Sequence, residues 1–153
     1  MSRGSSQQAL SSLGSCSKTA CFTLRLERQY VTDLLLKAHL SLSLCQSAQG
    51  NKYSIYQLVR ATYLSYLLWQ AGVGVADRKQ FCEAEEVLEQ LSGDAHVMST
   101  WKLDGTDARA MSGVLGILDR QLATVRSSTF LECHARLERL LCVEIASSFE
   151  SGR

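Results

Sequence analysis

The chain has 153 residues, of which 46% are hydrophobic and 20% charged, so it can build one domain with a buried core. Its 16 Lys and Arg residues nearly balance its 15 Asp and Glu residues, which excludes a strong overall field that would concentrate nucleic acid or an anionic membrane. The longest uncharged stretch covers residues 61–76 and is shorter than the roughly 20 residues of a membrane-spanning helix, so we expect no membrane contact.

The N-terminal region, residues 1–22, is rich in serine and poor in large apolar side chains, which predicts a flexible tail. It has no apolar run of the kind found in secretory signals. Together with six cysteines, this suggests reduced thiols and a cytoplasmic protein. We expect the helical domain to cover residues 23–148 and residues 149–153 to fray.

The first helix is predicted over residues 25–45, where apolar residues recur at helical spacing. Gly50 follows as a candidate left-handed C-terminal cap. Ser54 and Gln57 then form a capping-box pattern at the start of a second helix. The short connection predicts that the two helices form an antiparallel αα-hairpin.

The second helix, residues 54–69, is apolar almost all round and should therefore be enclosed by other elements or by a partner. Gly72 and Gly74 end it. It also concentrates the aromatic residues of the chain: Tyr53, Tyr56, Tyr63, Tyr66 and Trp69 lie on it or beside it. We expect it to be the centre of the fold.

Three further helices are predicted after the hairpin. The third starts at a capping pattern, Asp77 with Gln80, and ends at 92–93; the fourth starts near 106–107; the fifth starts at a capping box, Thr129 with Glu132. Residues 94–105 are irregular, and Trp101 among them should pack on the bundle. The predicted fold is all-α: a single-domain bundle of about five helices built on a central antiparallel αα-hairpin.

Metal-ligand and catalytic motifs do not occur in the sequence. No C-x2-C pair is present, so we expect no metal and no cofactor. No phosphate loop or nucleophile motif is present either, which argues against an enzyme. The four cysteines outside the predicted tail are interpreted as small buried hydrophobes: Cys45, Cys82, Cys133 and Cys142.

The tyrosines of the second helix suggest a function in protein–protein contact, because tyrosine and arginine are enriched at interfaces. Tyr56, Arg60, Tyr63 and Leu67 lie on one side of that helix and form the predicted interface. We expect a five-helix domain to leave this side partly uncovered, so a homodimer or a partner protein would complete it. A regulatory or adaptor protein is the resulting hypothesis; a small-molecule pocket lined by the same rings is a weaker one.

A DNA-binding regulator is the alternative hypothesis. The second helix follows a helix and a short turn, which is the layout of a helix-turn-helix motif. Arg25 and Arg28 on the first helix, with Lys52 and Gln57 at the start of the second, are the predicted nucleic-acid contacts. The near-neutral charge of the chain weighs against this alternative.

Overall fold

The structure, a computed structural model, describes residues 16–98 and 101–150, with side chains for residues 28–93 and 101–143. No described residue lies in a strand, which confirms the all-α prediction. Five helices make up the fold: α1 (Cys16–Gln46), α2 (Lys52–Gln70), α3 (Arg78–Met98), α4 (Gly105–Thr124) and α5 (Ser127–Glu150). Residues 1–15 and 151–153 lie outside the described residues, so the predicted tail and the predicted fraying stay predictions there.

Helix α2 is the centre of the bundle, as predicted. It packs against each of the other four helices, and its packing with α1 forms the central hairpin. The α2 residues that contribute to this interior are Ser54, Ile55, Leu58, Ala61, Thr62, Leu64, Ser65, Leu67 and Leu68. The other residues of α2 are partly or fully exposed, Tyr53 and Tyr56 among them, so the expectation of a partly uncovered side holds for part of the helix, while Leu67 of the predicted interface is buried.

Several helix boundaries differ from the predicted ones. Helix α1 begins at Cys16 instead of residue 25, and α3 continues to Met98, into the first part of the segment 94–105 that was expected to be irregular. Residues 101–104 are irregular, as predicted. Helix α5 begins at Ser127, so Thr129 lies in its first turn and does not cap it. Trp101 packs on the core as expected.

The helix N-termini show which polar residue acts as the cap. Asn51 caps α2: its side-chain oxygen accepts from the backbone N–H of Ser54 at 3.0 Å, so the predicted cap at Ser54 is wrong. Asp104 caps α4 in the same way, through the N–H groups of Thr106 and Asp107. The predicted cap of α3 is confirmed, since Gln80 accepts from the backbone N–H of Asp77 and Asp77 accepts from that of Lys79.

In the turn after α1, the roles of Ala48 and Gly50 differ from the predicted ones. Ala48 takes the left-handed conformation, with φ 58°, and the N–H of Gln49 closes the helix end on the Leu44 carbonyl at 2.8 Å. Gly50 is required for space instead: a Cβ there would stand 2.5 Å from the Trp101 carbonyl oxygen and 2.7 Å from Cys45 Sγ. The prediction of Gly50 as the left-handed cap is therefore wrong.

A buried glutamine joins α4 to α2 and to the turn that follows it. The Gln121 side-chain N–H groups donate to the carbonyls of Ser65 and Val73 at 3.0 Å, and its oxygen accepts from Ser65 Oγ at 2.8 Å. Gly74, at φ 79°, lies so close that a Cβ there would stand 3.0 Å from Gln121 Cγ. Every hydrogen-bonding group of the Gln121 side chain thus has a protein partner in the core.

Replacing Ala48 by glycine should stabilise the fold, because glycine adopts the left-handed conformation without the steric cost that a Cβ brings. The expected gain is about 0.5–1 kcal/mol in the free energy of unfolding, measured from urea titrations. Ala71→Gly is the control, since Ala71 also follows a helix but has φ −77°. An equal gain in both variants would contradict the assignment.

Gln121→Leu should destabilise the fold by about 2–4 kcal/mol, because it leaves buried groups of Ser65 and Val73 without their partner. Gln90→Leu, at an exposed position of α3, is the matched control and should change the unfolding free energy little. Similar urea midpoints for the two leucine variants would contradict the role of Gln121.

Candidate functional site

Exposed tyrosines lie on α1 and α2, and two of them, Tyr30 and Tyr56, share a hydrogen-bond network that reaches α5. Tyr53 and Tyr56 of α2 remain 57% and 37% exposed, and Tyr30 of α1 and Leu131 of α5 are exposed as well. We name this surface the tyrosine patch and include the polar residues that join it: Tyr30, Tyr53, Tyr56, Arg60, Leu131, His134 and Glu138.

Hydrogen bonds from Arg60 connect the three helices of the tyrosine patch. The guanidinium donates to the Tyr56 hydroxyl at 3.2 Å, to the Tyr30 hydroxyl at 3.4 Å and to the Glu138 carboxylate. It also lies 5.6 Å from the centre of the Tyr56 ring, within the range of a cation–π contact. The patch is therefore held in one geometry by its own residues.

The charge of Arg60 is neutralised by an ion pair within the protein. Its side chain is only 14% exposed and pairs with Glu138. Burial by itself would lower the pKa of Arg60, but the hydrogen bonds with Glu138 and Tyr56 and the charge of Glu138 outweigh it and raise that pKa. Arg60 therefore orients the tyrosines and is not an open anchor for a phosphate.

His134 of α5 is the last member of the hydrogen-bond network around Arg60. The Tyr30 hydroxyl lies 2.6 Å from its Nε2, and the neutral ring accepts that hydrogen bond when its own proton is on Nδ1. Glu138 Oε1 lies 3.5 Å from the same nitrogen, which would favour a protonated ring. Burial and the nearby Arg60 charge outweigh this attraction, so the pKa of His134 is lowered.

A groove lies between α2 and α3, on a different side of α2 from the tyrosine patch. It has a volume of about 540 Å³ and we name it the α2–α3 groove; its lining consists of Val59, Thr62, Tyr63, Tyr66, Arg78, Phe81, Cys82, Glu85, Leu88, Glu89 and Ser92. Tyr63 donates to Glu85 at 3.0 Å across it. The groove and the tyrosine patch are therefore two different surfaces, each completed by a different neighbour of α2.

The four predicted interface residues fall in three different environments. Tyr56 and Arg60 are in the tyrosine patch, and Tyr63 lines the α2–α3 groove. Leu67 is 4% exposed, and its carbonyl accepts a hydrogen bond from Cys133 of α5. Leu67 therefore belongs to the core, because α5 covers α2 at that level.

The predicted nucleic-acid contacts are not brought together. Arg28 and Lys52 are exposed, whereas Gln57 is half-buried. Arg28 lies 18 residues before the end of α1 at Gln46, about 27 Å along the helix axis. Lys52 lies at the opposite end of the antiparallel hairpin. The side chain of Arg25 is outside the described residues.

Sequence reasoning missed Tyr30, Leu131, His134 and Glu138. The four-residue spacing of His134 and Glu138 puts them on one face of a helix, and this was the available signal. The contact between Tyr30 and His134 spans 104 positions and has no local signature.

The cysteines differ in environment, and two of them depart from the prediction. Cys45 and Cys133 are buried free thiols whose pKa is raised, mainly by burial, whereas Cys82 and Cys142 are exposed. Cys82 and Cys142 are therefore not core residues. Within the described residues, no group of three or more His, Cys, Asp or Glu is arranged to hold a metal ion. The helices described here include none with the length and apolar content to cross a membrane.

Comparison with known proteins gives no relative: no protein-family model, no curated protein sequence and no solved structure matches the chain. The tyrosine patch and the α2–α3 groove are thus the features from which a function can be argued.

The lowered pKa of His134 makes stability depend on pH. The unfolded state binds a proton on this ring more readily than the folded state does, so the contribution of His134 is complete above its ordinary pKa of 6.5 and falls at lower pH. His134→Gln keeps an acceptor for Tyr30 but cannot titrate. Its urea midpoint should therefore fall less than that of the unmodified protein between about pH 8 and pH 5.

His39→Gln is the control for this measurement. His39 pairs with Asp119 across α1 and α4, away from the tyrosine patch, so this variant should keep the acid-side loss that comes from His134. Identical pH profiles for His134→Gln and the unmodified protein would contradict the role of His134.

Proposed function

We propose that the protein is a non-enzymatic regulatory or adaptor protein that acts through protein–protein contacts made by the tyrosine patch. The observation that carries this proposal is the composition of the patch. Tyr30 and Tyr56 present partly exposed rings around the pair of Arg60 and Glu138, and Tyr53 of α2 and Leu131 of α5 are exposed on the same helices.

The fixed geometry of the patch supports this proposal. Ordering side chains at an interface costs conformational entropy, and rings already held in place have less to lose. The hydroxyls of Tyr30 and Tyr56 are both hydrogen-bonded to Arg60 before any partner arrives. Tyrosine and arginine are also among the residue types that most often dominate binding energy at interfaces.

Self-association is the simplest form of the proposal. A two-fold symmetric dimer would bring the tyrosine patch of one protomer onto the same patch of the other. Because α2 packs against the four other helices, such an interface would have to include residues of α1 and α5, and not α2 alone as the sequence suggested. A different protein that docks on the patch is the other form.

We also propose a cytoplasmic location. It rests on the cysteine content of the chain and on the two buried free thiols, Cys45 and Cys133, which a reducing compartment would preserve.

Tyr56→Ala tests the tyrosine patch by sedimentation velocity. The unmodified protein should sediment as a dimer, and Tyr56→Ala should weaken the association by about tenfold or more, because a central ring is lost. Leu40→Ala is the control: Leu40 is also exposed and apolar but lies on α1 ten residues after Tyr30, about 15 Å along the helix axis. Its dimer should be unchanged.

A monomeric unmodified protein would overturn self-association. Affinity capture with the unmodified chain, Tyr56→Ala and Leu40→Ala as baits then tests the partner form. A protein captured by the first and third baits but not by Tyr56→Ala is the expected result. Equal capture by all three baits would contradict the assignment of the patch.

A further inference from the structure

We propose that the α2–α3 groove is a binding site for a small organic cation with an aromatic body. This inference goes beyond the proposed protein–protein function and depends on none of the tyrosine-patch residues. The supporting observations are the size of the groove and its mixed apolar and polar lining, an unpartnered buried hydroxyl, the position of its acidic residues and its aromatic wall.

The size and lining of the groove suit a small ligand. Its volume of about 540 Å³ lies in the range of small-molecule sites, which is roughly 300–1,000 Å³. Val59, Phe81 and Leu88 supply apolar contact. Most of the other lining residues carry polar or charged groups, which can orient a ligand within the groove.

Thr62 supplies the first of these polar groups. It lines the groove, is only 4% exposed, and among the residues that the structure describes its hydroxyl is the buried side-chain oxygen that lacks a hydrogen-bond partner. A buried hydroxyl without a partner is unfavourable, and nearly all such groups in proteins are satisfied. The Thr62 oxygen has almost no accessible surface, so a ligand can reach it only when the Thr62 side chain or its neighbours move. A ligand that then exchanges a hydrogen bond with Thr62 would remove this cost.

The charges of the groove favour a cation near Thr62. Glu85 and Glu89 stand one helical turn apart on α3, and the Tyr63 hydroxyl donates to Glu85, which holds that carboxylate against the groove. Arg78 lies seven residues before Glu85, about 10 Å along the helix axis. The end of the groove that Thr62 and Tyr63 share with Glu85 is therefore acidic, and an anion would meet two carboxylates there.

The aromatic wall favours a ring in the ligand. Tyr66 and Phe81 line the groove with ring centres 5.5 Å apart in an edge-on arrangement, and Trp69 packs behind them at 5.6 Å from Phe81. Edge-on and offset contacts extend readily to another aromatic ring, and the faces of such rings also attract cations. An arylalkylamine combines these features: a ring for the wall, and an ammonium that donates to a carboxylate and to the Thr62 oxygen.

Tryptamine is the probe, with 3-indolepropionate as its matched anion, because the two share the ring and differ in the charge of the side chain. Binding is measured on the full chain from backbone amide chemical shifts. Tryptamine should bind saturably with a dissociation constant on the order of 1 mM, as expected for its size, and 3-indolepropionate at least about tenfold more weakly. The shifted amides should be those of the groove residues.

Glu89→Gln tests the acidic end of the groove, with Glu86→Gln as its control. Both residues are exposed on α3, but only Glu89 is among the groove-lining residues. Glu89→Gln should weaken tryptamine binding by at least about threefold, whereas Glu86→Gln should leave it unchanged.

Thr62→Val tests the buried hydroxyl. It removes an unpartnered polar group without changing the shape of the side chain, so the urea midpoint should stay the same or rise while tryptamine binding weakens. Alkylation of Cys82, which lines the groove, should slow when tryptamine is bound, whereas alkylation of exposed Cys142 on α5 should not.

The proposal is overturned if tryptamine does not saturate, if 3-indolepropionate binds equally well, or if Glu89→Gln and Thr62→Val bind tryptamine as the unmodified chain does. Tyr56→Ala should bind tryptamine normally, since it changes only the tyrosine patch. Loss of self-association and loss of tryptamine binding are thus separate outcomes, and either proposal can fail without the other.

Discussion

The enclosure of α2 by four other helices is the constraint on which the rest of the structure depends. An apolar helix in water is stabilised only where other elements cover it, and α1, α3, α4 and α5 each cover one side. The polar groups inside this enclosure must find partners there, and Gln121 shows how this is achieved: its amide satisfies Ser65 and the Val73 carbonyl together. The turn between α2 and α3 is thereby tied to the same core.

Enclosure also determines where α2 can meet solvent. Two sides of α2 remain partly accessible to solvent. On each side, residues of different neighbouring helices complete the surface. On one side Tyr56 and Arg60 join α1 and α5 in the tyrosine patch; on the other, Thr62 and Tyr63 face α3 across the groove. The aromatic residues of one helix therefore contribute to two surfaces of different chemistry, one proposed here to bind a protein and the other a small cation.

The two surfaces differ in how their polar groups are satisfied. In the tyrosine patch Arg60, Glu138, His134 and the hydroxyls of Tyr30 and Tyr56 bind one another, so the surface is ordered before contact and exposes mainly ring area. In the groove the Thr62 hydroxyl has no partner among the described residues. A patch whose polar groups are satisfied gains from burial of its rings, whereas an unsatisfied hydroxyl gains from a specific hydrogen bond.

The sequence by itself determined the fold class, the central hairpin and the central position of α2, because helical periodicity and an all-round apolar composition are local properties. It also placed Tyr56 and Arg60 correctly on one surface. Only the tertiary structure decided the rest. It placed Leu67 under α5, made Gly50 a point of close approach to Trp101, and joined Tyr30 to His134 across 104 positions. The physical reason is that a periodic pattern states which side chains share a helix face, whereas only the packing of other helices decides which of those faces is covered.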